Sequence, residues 1–431
     1  MRRSVSIFSV ILAVALPALA ASIQTAKPEQ TGFSSERLGR IHETVQRHMD
    51  AHDISGAVTL VARNGKVAHF EAHGLADIDA RKPMSKDSLF WIMSMTKPIV
   101  GTSVLMLMEE GKLRLTDPVS RFIPEFKGIK VAVIEDRPAG PFGPPPAPAP
   151  GTPPFFYTVP ATREITIQDL LTHVSGLNSG GPASNAEVAK IALKSGESLS
   201  DYIPRLATTP LDFQPGTRWQ YSATAAWDTM ERVIEVITSE PFDRFARERI
   251  FDPLGMKDTS FRPSPEQLAR IATQYKGADG TLTKVENKPI WLNSPTYLSG
   301  GGGLMSSAED YLQFGQMLAN RGELNGKRLL GPKTVELMSS VFVPDTLPGR
   351  AKGRGFGLSV QVISDHIAAN TPISNGSFGW DGAYGTHFWV DPKEKIVGLF
   401  MIQASAPNRS MTPDFEYAVM QALIDPADEH N

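Results

Sequence analysis

The 431-residue sequence contains no cysteine. It can therefore form no disulfide and carry no lipid on a cysteine side chain, which is compatible with a periplasmic or secreted bacterial protein. Basic residues are not in excess either, since the formal net charge is −3 and no run of lysine and arginine is interleaved with aromatic residues. Nucleic acid is therefore not expected as a partner.

Long hydrophobic runs are scarce, and the clearest one lies at the N-terminus. An arginine pair precedes an apolar run from Val5 to Leu19, which ends in small residues at Ala20. A charged start, a short apolar middle and a small-residue end are typical of a secretory signal peptide. We therefore predict a signal peptide over residues 1–20, with no membrane span after its cleavage. A buried helix or a membrane anchor is the alternative, but the run is short for a span.

Several catalytic signatures are also missing. No serine lies in the G-x-S-x-G pattern of α/β-hydrolases. Neither H-E-x-x-H nor another close group of histidines and carboxylates has metal-ligand spacing. The glycine run at 300–303 lacks the Gly-Lys-Ser/Thr that completes a phosphate-binding loop, and we interpret it as close backbone packing. We therefore expect neither a metal site nor a cofactor.

A candidate nucleophile is present at Ser94. The apolar run 89–92 precedes it, and a helical pattern follows that ends at Gly111. Pro98 is tolerated only in a first turn, so the helix begins close to Ser94. Lys97 then lies on the same helix face as Ser94, where a desolvated amine could take the serine proton. The alternative is a capping serine followed by a solvated lysine.

The remaining pattern predicts a mixed α/β (α+β) protein. A helix capped by Ser34 or Ser35 precedes two strand-like runs joined at Asn64-Gly65, which is a strong hairpin signal. Strands return in the last quarter, from Gly357, and a closing helix runs from about Pro413 to Leu423. We expect the late strands to pair with the early hairpin in an antiparallel sheet, with the first and last helices covering one face.

The predicted domain organisation is two-lobed. Residues 30–93 and 344–431 form the sheet lobe, and residues 94–343 form a large inserted lobe that is mainly helical. The segment 137–154 is rich in proline and glycine and predicts an exposed, extended loop. We interpret this loop as a spacer or an insertion. The alternative is a proline-rich motif that binds a partner protein.

Two further stretches can contribute to a site. Tyr221 precedes a helix that opens near Thr224, and a phenol close to a lysine could relay a proton to a leaving group. The stretch 379–385 places glycines in a late strand, where a backbone N–H could help to hold an oxyanion. Taken singly, these stretches are better explained by a packed tyrosine and by a hairpin that needs glycines for its turn.

Together, Ser94-x-x-Lys97, Tyr221 and the glycine-bearing late strand resemble the serine β-lactamase and penicillin-binding-protein superfamily. The closest resemblance is to class C β-lactamases and family VIII carboxylesterases, and it spans roughly residues 30 to 425. Supporting stretches are 170–177, Phe213-x-Pro215-Gly216, 300–304 and 385–392.

The resemblance also implies roles for single residues. It implies that Ser94 forms an acyl-enzyme, that Lys97 and Tyr221 share the proton transfers, and that the N–H groups of Ser94 and Ala383 hold the oxyanion. Which of Lys97 and Tyr221 is the resting base stays open. His173 is implied to be structural.

The departures from the family pattern concern substrate choice. Class C enzymes carry Tyr-x-Asn, and here the third position is Ala223; their Lys-Thr-Gly corresponds here to Trp380-Asp381-Gly382. Tryptophan cannot pair with the carboxylate of a β-lactam, and Asp381 would repel one if it pointed into the cleft. Asp381 could instead turn outward.

We therefore predict a secreted serine hydrolase that cleaves small carboxylic esters with short acyl chains. The first alternative is a β-lactamase or D-alanyl-D-alanine peptidase that acts on amides. The second is a noncatalytic binding protein that keeps the fold. The oligomeric state stays open.

Overall fold

The computed structural model describes residues 24–135, 155–286, 288–292 and 294–424. The predicted signal peptide and the proline-rich segment 137–154 lie outside these residues. The described residues form short and long strands and helices, which we number in chain order. The strands are β1 Gly56–Arg63, β2 Lys66–Asp77, β3 Lys82–Pro83, β4 Phe90–Trp91, β5 Lys130–Ile134, β6 Phe156–Pro160, β7 Tyr275–Ala278, β8 Thr281–Lys284, β9 Met305–Ser306, β10 Glu323–Leu324, β11 Lys327–Arg328, β12 Arg354–Phe356, β13 Gln361–Ile363, β14 Phe378–Asp381, β15 His387–Asp391, β16 Ile396–Met401 and β17 Ala404–Ser405.

The helices lie mainly between β4 and β12. They are α1 Ser35–Leu38, α2 Arg40–Asp50, α3 Thr96–Glu109, α4 Ile167–Leu171, α5 Pro182–Lys190, α6 Leu199–Leu206, α7 Ala225–Thr238, α8 Phe242–Ala246, α9 Asp252–Leu254, α10 Pro265–Arg270, α11 Ala308–Ala319, α12 Pro332–Met338 and α13 Met411–Met420. Short 3-10 turns occur at Pro28–Thr31, Met93–Met95, Val119–Arg121 and Pro124–Phe126, and a π-helical segment at Arg247–Phe251.

The main sheet is antiparallel and has eight strands in the order β12-β13-β14-β15-β16-β1-β2-β3. The predicted hairpin is present, because Asn64 and Gly65 both adopt the positive φ that a tight β-turn of this kind requires. Val58 pairs with Met401 and Leu60 with Leu399, so the early hairpin joins the late strands as expected. The predicted α/β class is confirmed.

The two faces of the sheet pack against different parts of the chain. Leu60, Phe388 and Leu399 face a large core that continues into α3 and α7. Val61, Trp389 and Phe400 face the opposite side, where α2 and α13 cover them. Successive residues of a strand point to opposite faces, so each strand contributes to both cores. The first and last helices therefore cover one face, as the sequence predicts.

Two elements differ from the predicted ones. The first helix is interrupted at Gly39, between α1 and α2. Of the strand predicted from Gly357 to Ile363, only Gln361–Ile363 is a strand, β13; residues 357–360 form the turn that precedes it, because Ser359 has a φ of +76° and the Gly357 N–H donates to the Val360 carbonyl. Within the described residues, no helix is long and apolar enough to cross a membrane. The boundaries of the two lobes stay a prediction.

Candidate active site

Ser94 lies in a tight turn between β4 and α3. Met93 has a φ of +48°, a left-handed conformation that methionine rarely adopts, and the Met95 N–H donates to the Ile92 carbonyl at 3.0 Å. The Ile92 N–H in turn donates to the Leu304 carbonyl at 3.0 Å. The turn is thus fixed on both sides, and it presents a half-buried Ser94 at the entrance to α3. Backbone strain held by its surroundings is frequent at functional sites.

Lys97 lies on the first turn of α3 and is fully buried. Its amine Nζ is 3.0 Å from Ser94 Oγ, 2.7 Å from the Ala223 carbonyl oxygen and 2.6 Å from the Gly301 carbonyl oxygen. Burial is the main influence and lowers the pKa of Lys97, while Tyr221 and Asp228 oppose this change. A neutral amine has two N–H groups and one lone pair. If the two carbonyls accept the N–H groups, the lone pair faces the Ser94 hydroxyl.

Tyr221 contacts the same serine from the other side. Its hydroxyl donates to Ser94 Oγ at 2.7 Å. Trp380 and His173 pack against the phenol ring, with ring centroids at 5.6 Å and 4.6 Å. The Lys97 amine also lies 5.1 Å from the centre of the phenol ring. The structure therefore brings Ser94, Lys97 and Tyr221 together from two distant parts of the chain.

His173 supports this arrangement without touching Ser94. Its Nδ1 accepts a hydrogen bond from the Ser222 N–H at 3.1 Å, which makes Nε2 the protonated nitrogen of a neutral ring. Burial, with the nearby charges of Lys97 and Arg350, holds the pKa of His173 well below its usual value. The imidazole thus fixes the backbone next to Tyr221, in agreement with a structural position.

Asp228 lies beneath the site and was not identified from the sequence. Its carboxylate accepts hydrogen bonds from the Tyr297 hydroxyl, the Ser299 hydroxyl and the Gly301 N–H, at 2.7, 2.9 and 3.0 Å. Burial raises the pKa of Asp228 to about 6, and these donors oppose the rise. Asp228 thus holds the residue whose carbonyl accepts a hydrogen bond from the Lys97 amine. The signal in the sequence that could have identified Asp228 is the presence of an acidic residue on the buried face of α7.

The glycine run packs closely, as predicted. A Cβ on Gly301 would lie 2.8 Å from the Ala223 carbonyl oxygen, and one on Gly300 would lie 2.7 Å from the Trp227 carbonyl oxygen. A side chain at either position would push α7 away from the site. The absence of side chains here lets the carbonyls of Ala223 and Gly301 converge on Lys97. Ala223 therefore contributes its carbonyl to the site.

The turn after β14 lies against the Ser94 turn. The Thr386 hydroxyl donates to the Ile92 carbonyl at 3.1 Å, and a Cβ on Gly382 would be only 2.4 Å from that carbonyl oxygen. Gly382 thus permits a close approach of the two backbones. Ala383 follows Gly382 and is exposed. Among the described residues, neither the Ser94 N–H nor the Ala383 N–H donates to another group, which leaves both free for a substrate oxygen.

Trp380 and Asp381 point to opposite faces of β14. Trp380 packs against Tyr221 and Phe356, on the face of Ser94. The Asp381 carboxylate lies on the other face, where its Oδ1 is 2.5 Å from His387 Nδ1. Of the two orientations that the sequence left open for Asp381, the outward-facing one is therefore observed. Strand alternation separates two consecutive side chains in this way.

Two cavities flank the site without including Ser94 in their lining. One, of about 560 Å³, is lined by Trp219, Tyr221 and Pro348 among others. The other, of about 420 Å³, lies under β14 and β15 on the α13 side and is lined by Asp381, His387 and Glu416 among others. The second cavity belongs to the face of the sheet that Asp381 occupies.

Comparison with known proteins agrees with this geometry. A family model described as "Beta-lactamase" matches residues 41–422. Protein Rv1367c of Mycobacterium tuberculosis is 37% identical over 375 residues, covering 84% of this chain and 88% of that protein. Esterase EstB of Burkholderia gladioli is 31% identical over 412 residues, covering 87% and 92%. The solved structure of EstCE1, described as a hydrolase with promiscuous acyltransferase activity, has a TM-score of 0.73 and 27% identity, covering 89% of this chain and 99% of its own.

Replacing the candidate nucleophile tests the site directly. Ser94→Ala should lower ester turnover by about 10³-fold or more, because no other hydroxyl takes its place between the amine and the phenol. The thermal midpoint should stay nearly unchanged, since Ser94 is half-buried and Lys97 keeps both carbonyl acceptors. Ser340→Ala removes an exposed hydroxyl and is the matched control. Retained turnover in Ser94→Ala would mean that another residue is the nucleophile.

The position of Asp381 gives a second prediction. Asp381→Asn should leave the ratio of turnover for anionic and neutral esters unchanged, because the carboxylate faces away from Ser94. Asp79→Asn, on an exposed aspartate, controls for the change in net charge. A shift in the ratio seen only with Asp381→Asn would contradict the outward orientation.

Asp381→Asn should also lower the stability of the folded protein, by an amount that depends on pH. Burial opposes a charge on His387, but Asp381 and Glu416 outweigh it and raise the pKa of His387 from 6.5 to about 9. A raised pKa stabilises the folded state fully below 6.5, and the effect is lost as the pH rises through 9. The difference in thermal midpoint between wild type and Asp381→Asn should therefore shrink across this range.

Proposed function

This chain belongs to the β-lactamase family of serine hydrolases, and we propose that it is a periplasmic or secreted esterase that cleaves carboxylic esters through an acyl-Ser94 intermediate. The observation that carries the proposal is the convergence of the Lys97 amine and the Tyr221 hydroxyl on Ser94 Oγ, at 3.0 and 2.7 Å. A serine hydroxyl becomes a useful nucleophile when a neighbouring base can take its proton.

In the proposed acylation, Lys97 is the base. The Ser94 oxygen forms a bond to the ester carbonyl carbon while its proton moves to Lys97 Nζ. The carbonyl oxygen gains the electron pair and is held by the N–H groups of Ser94 and Ala383. When the intermediate collapses, the bond to the alcohol oxygen breaks. The Tyr221 hydroxyl supplies a proton to that oxygen and recovers one from Lys97.

Deacylation reverses the same transfers with water. A water molecule attacks the acyl carbon and gives its proton to the Lys97–Tyr221 pair. The bond between the acyl carbon and Ser94 then breaks, and Ser94 Oγ regains a proton. The carboxylic acid is released, and all three side chains return to their starting state. Water is the only co-reactant that the proposed reaction requires.

Esters are favoured over β-lactams by the residues beside the cleft. Trp380 replaces a lysine of the class C pattern, and its indole packs on Tyr221 and Phe356 rather than offering a positive charge. Arg350, a cation near the site, donates to the carbonyls of Arg354 and Gly355 and stacks on Trp219. Its charge is thus engaged within the protein. The similarity to Esterase EstB supports the same choice.

A comparison of two chromogenic substrates tests this choice. We expect turnover of p-nitrophenyl acetate to exceed that of a chromogenic cephalosporin by orders of magnitude, with Ser94→Ala as the background for both. Because we predict a preference for short acyl chains, turnover should fall along a series of p-nitrophenyl esters of increasing acyl length. Faster cephalosporin turnover would favour the β-lactamase or peptidase alternative. Absence of fluorophosphonate labelling at Ser94 would favour a noncatalytic binding protein.

A further inference from the structure

Three potential metal ligands meet between α2 and β2, on the face of the sheet opposite to Ser94. His42 lies on α2, and Glu71 and His73 lie two residues apart on β2. Phe70 and Ala72, which alternate with them along the strand, pack into the core on the Ser94 side. Residues two apart on a strand share a face, so Glu71 and His73 both point towards α2.

The ligand atoms of these residues are close enough to share one ion. His42 Nδ1 is 2.7 Å from Glu71 Oε1, and His73 Nδ1 is 3.7 Å from the same oxygen. All three atoms lie within 4.8 Å of one another, and within the described chain this is the one histidine–carboxylate group with such spacing. Zinc binds histidine nitrogen at about 2.0–2.1 Å and carboxylate oxygen at about 2.0–2.2 Å. Small side-chain rotations would bring the three atoms to these distances from a common centre.

The buried histidine supplies an independent observation. The His73 side chain is fully buried, and its Nδ1 has no hydrogen-bond partner among the described residues. Its other nitrogen, Nε2, lies 2.9 Å from the Thr59 hydroxyl, which is also 2.7 Å from His69 Nε2. The hydroxyl has one proton, so it can accept from His73 while it donates to His69.

This hydrogen-bond direction leaves a lone pair on His73 Nδ1. In the reverse direction the Nδ1–H would face Glu71 Oε1 at 3.7 Å, which is beyond hydrogen-bonding distance, and a buried N–H without a hydrogen bond costs free energy. Histidines that bind metals usually donate their other N–H to an oxygen, and this contact fixes the ring. The Thr59 hydroxyl is positioned to accept this hydrogen bond from His73. The lone pair then points towards Glu71 and His42 and has no other described partner.

We propose that His42 Nδ1, Glu71 Oε1 and His73 Nδ1 bind a divalent transition metal ion, with zinc as the best match. Two imidazoles and one carboxylate are a common zinc ligand set. The side chains of His42 and Glu71 are 54% and 36% exposed, so an ion can enter and water can take the fourth position. The ion would join α2 to β2 and would act on stability rather than on the chemistry at Ser94.

This proposal departs from the expectation that the chain has no metal site. The sequence showed none because His42 lies 29 residues before Glu71, and only the packing of α2 against β2 brings them together. Glu71 and His73 are two residues apart, which is the spacing of ligands on one face of a strand. A motif of two residues is too short to indicate a metal site by itself.

Zinc titration of the mature, tag-free protein tests the proposal. Isothermal titration calorimetry should show one zinc ion bound per chain, and the absence of cysteine removes competing thiolates. His42→Gln and Glu71→Gln should each weaken binding by about tenfold or more. Because both side chains are partly exposed, these variants should fold. Zinc should raise the thermal midpoint of wild type and much less that of His42→Gln.

His52→Asn is the matched control, because His52 is exposed and asparagine tolerates its positive φ. This control should bind zinc as wild type does, and ester turnover should be the same in all four proteins. Saturable binding that His42→Gln leaves unchanged would place the ion elsewhere and overturn the proposal. Absence of saturable zinc binding to wild type would overturn it as well.

Discussion

The complete burial of the Lys97 amine is the constraint on which the site depends. In water a lysine is protonated and cannot accept a proton at neutral pH. Removal from water disfavours the charged form, whereas hydrogen bonding to the carbonyls of Ala223 and Gly301 keeps the amine satisfied. Two acceptors match the two N–H groups of a neutral amine, and in that state the lone pair would face Ser94. A third strong acceptor in place of Ser94 would favour the ammonium and remove the base.

The rest of the fold holds this arrangement in place. Glycines at 300 and 301 let a loop approach the start of α7 closely, and Gly382 lets the end of β14 approach the Ser94 turn. Asp228 fixes the Gly301 peptide from below, and His173 fixes the backbone beside Tyr221. The two faces of the sheet are used differently. The Trp380 face borders Ser94 and Tyr221, whereas the face with Asp381 and His387 packs against α13.

Much of this could be predicted from local sequence. The positions of the hairpin, α3 and α7 follow from turn residues and apolar periodicity, and Ser94-x-x-Lys97 needs only one helical turn. The orientation of Asp381 stayed open because the family resemblance aligns three consecutive residues with the cleft, whereas strand alternation separates Trp380 from Asp381. Asp228, the positive φ of Met93 and the group around His73 depend on contacts between distant segments. No local pattern specifies such contacts.

The most direct test is a measurement of the ionisation of Lys97. NMR titration of protein with ¹³C-labelled lysine side chains, with Lys97→Met used to assign the signal, gives the pKa of Lys97 separately from the signals of the other lysines. The account predicts a pKa for Lys97 clearly below the ordinary value of 10.5. A pKa of 10.5 or above would contradict the proposed role of Lys97 as the base.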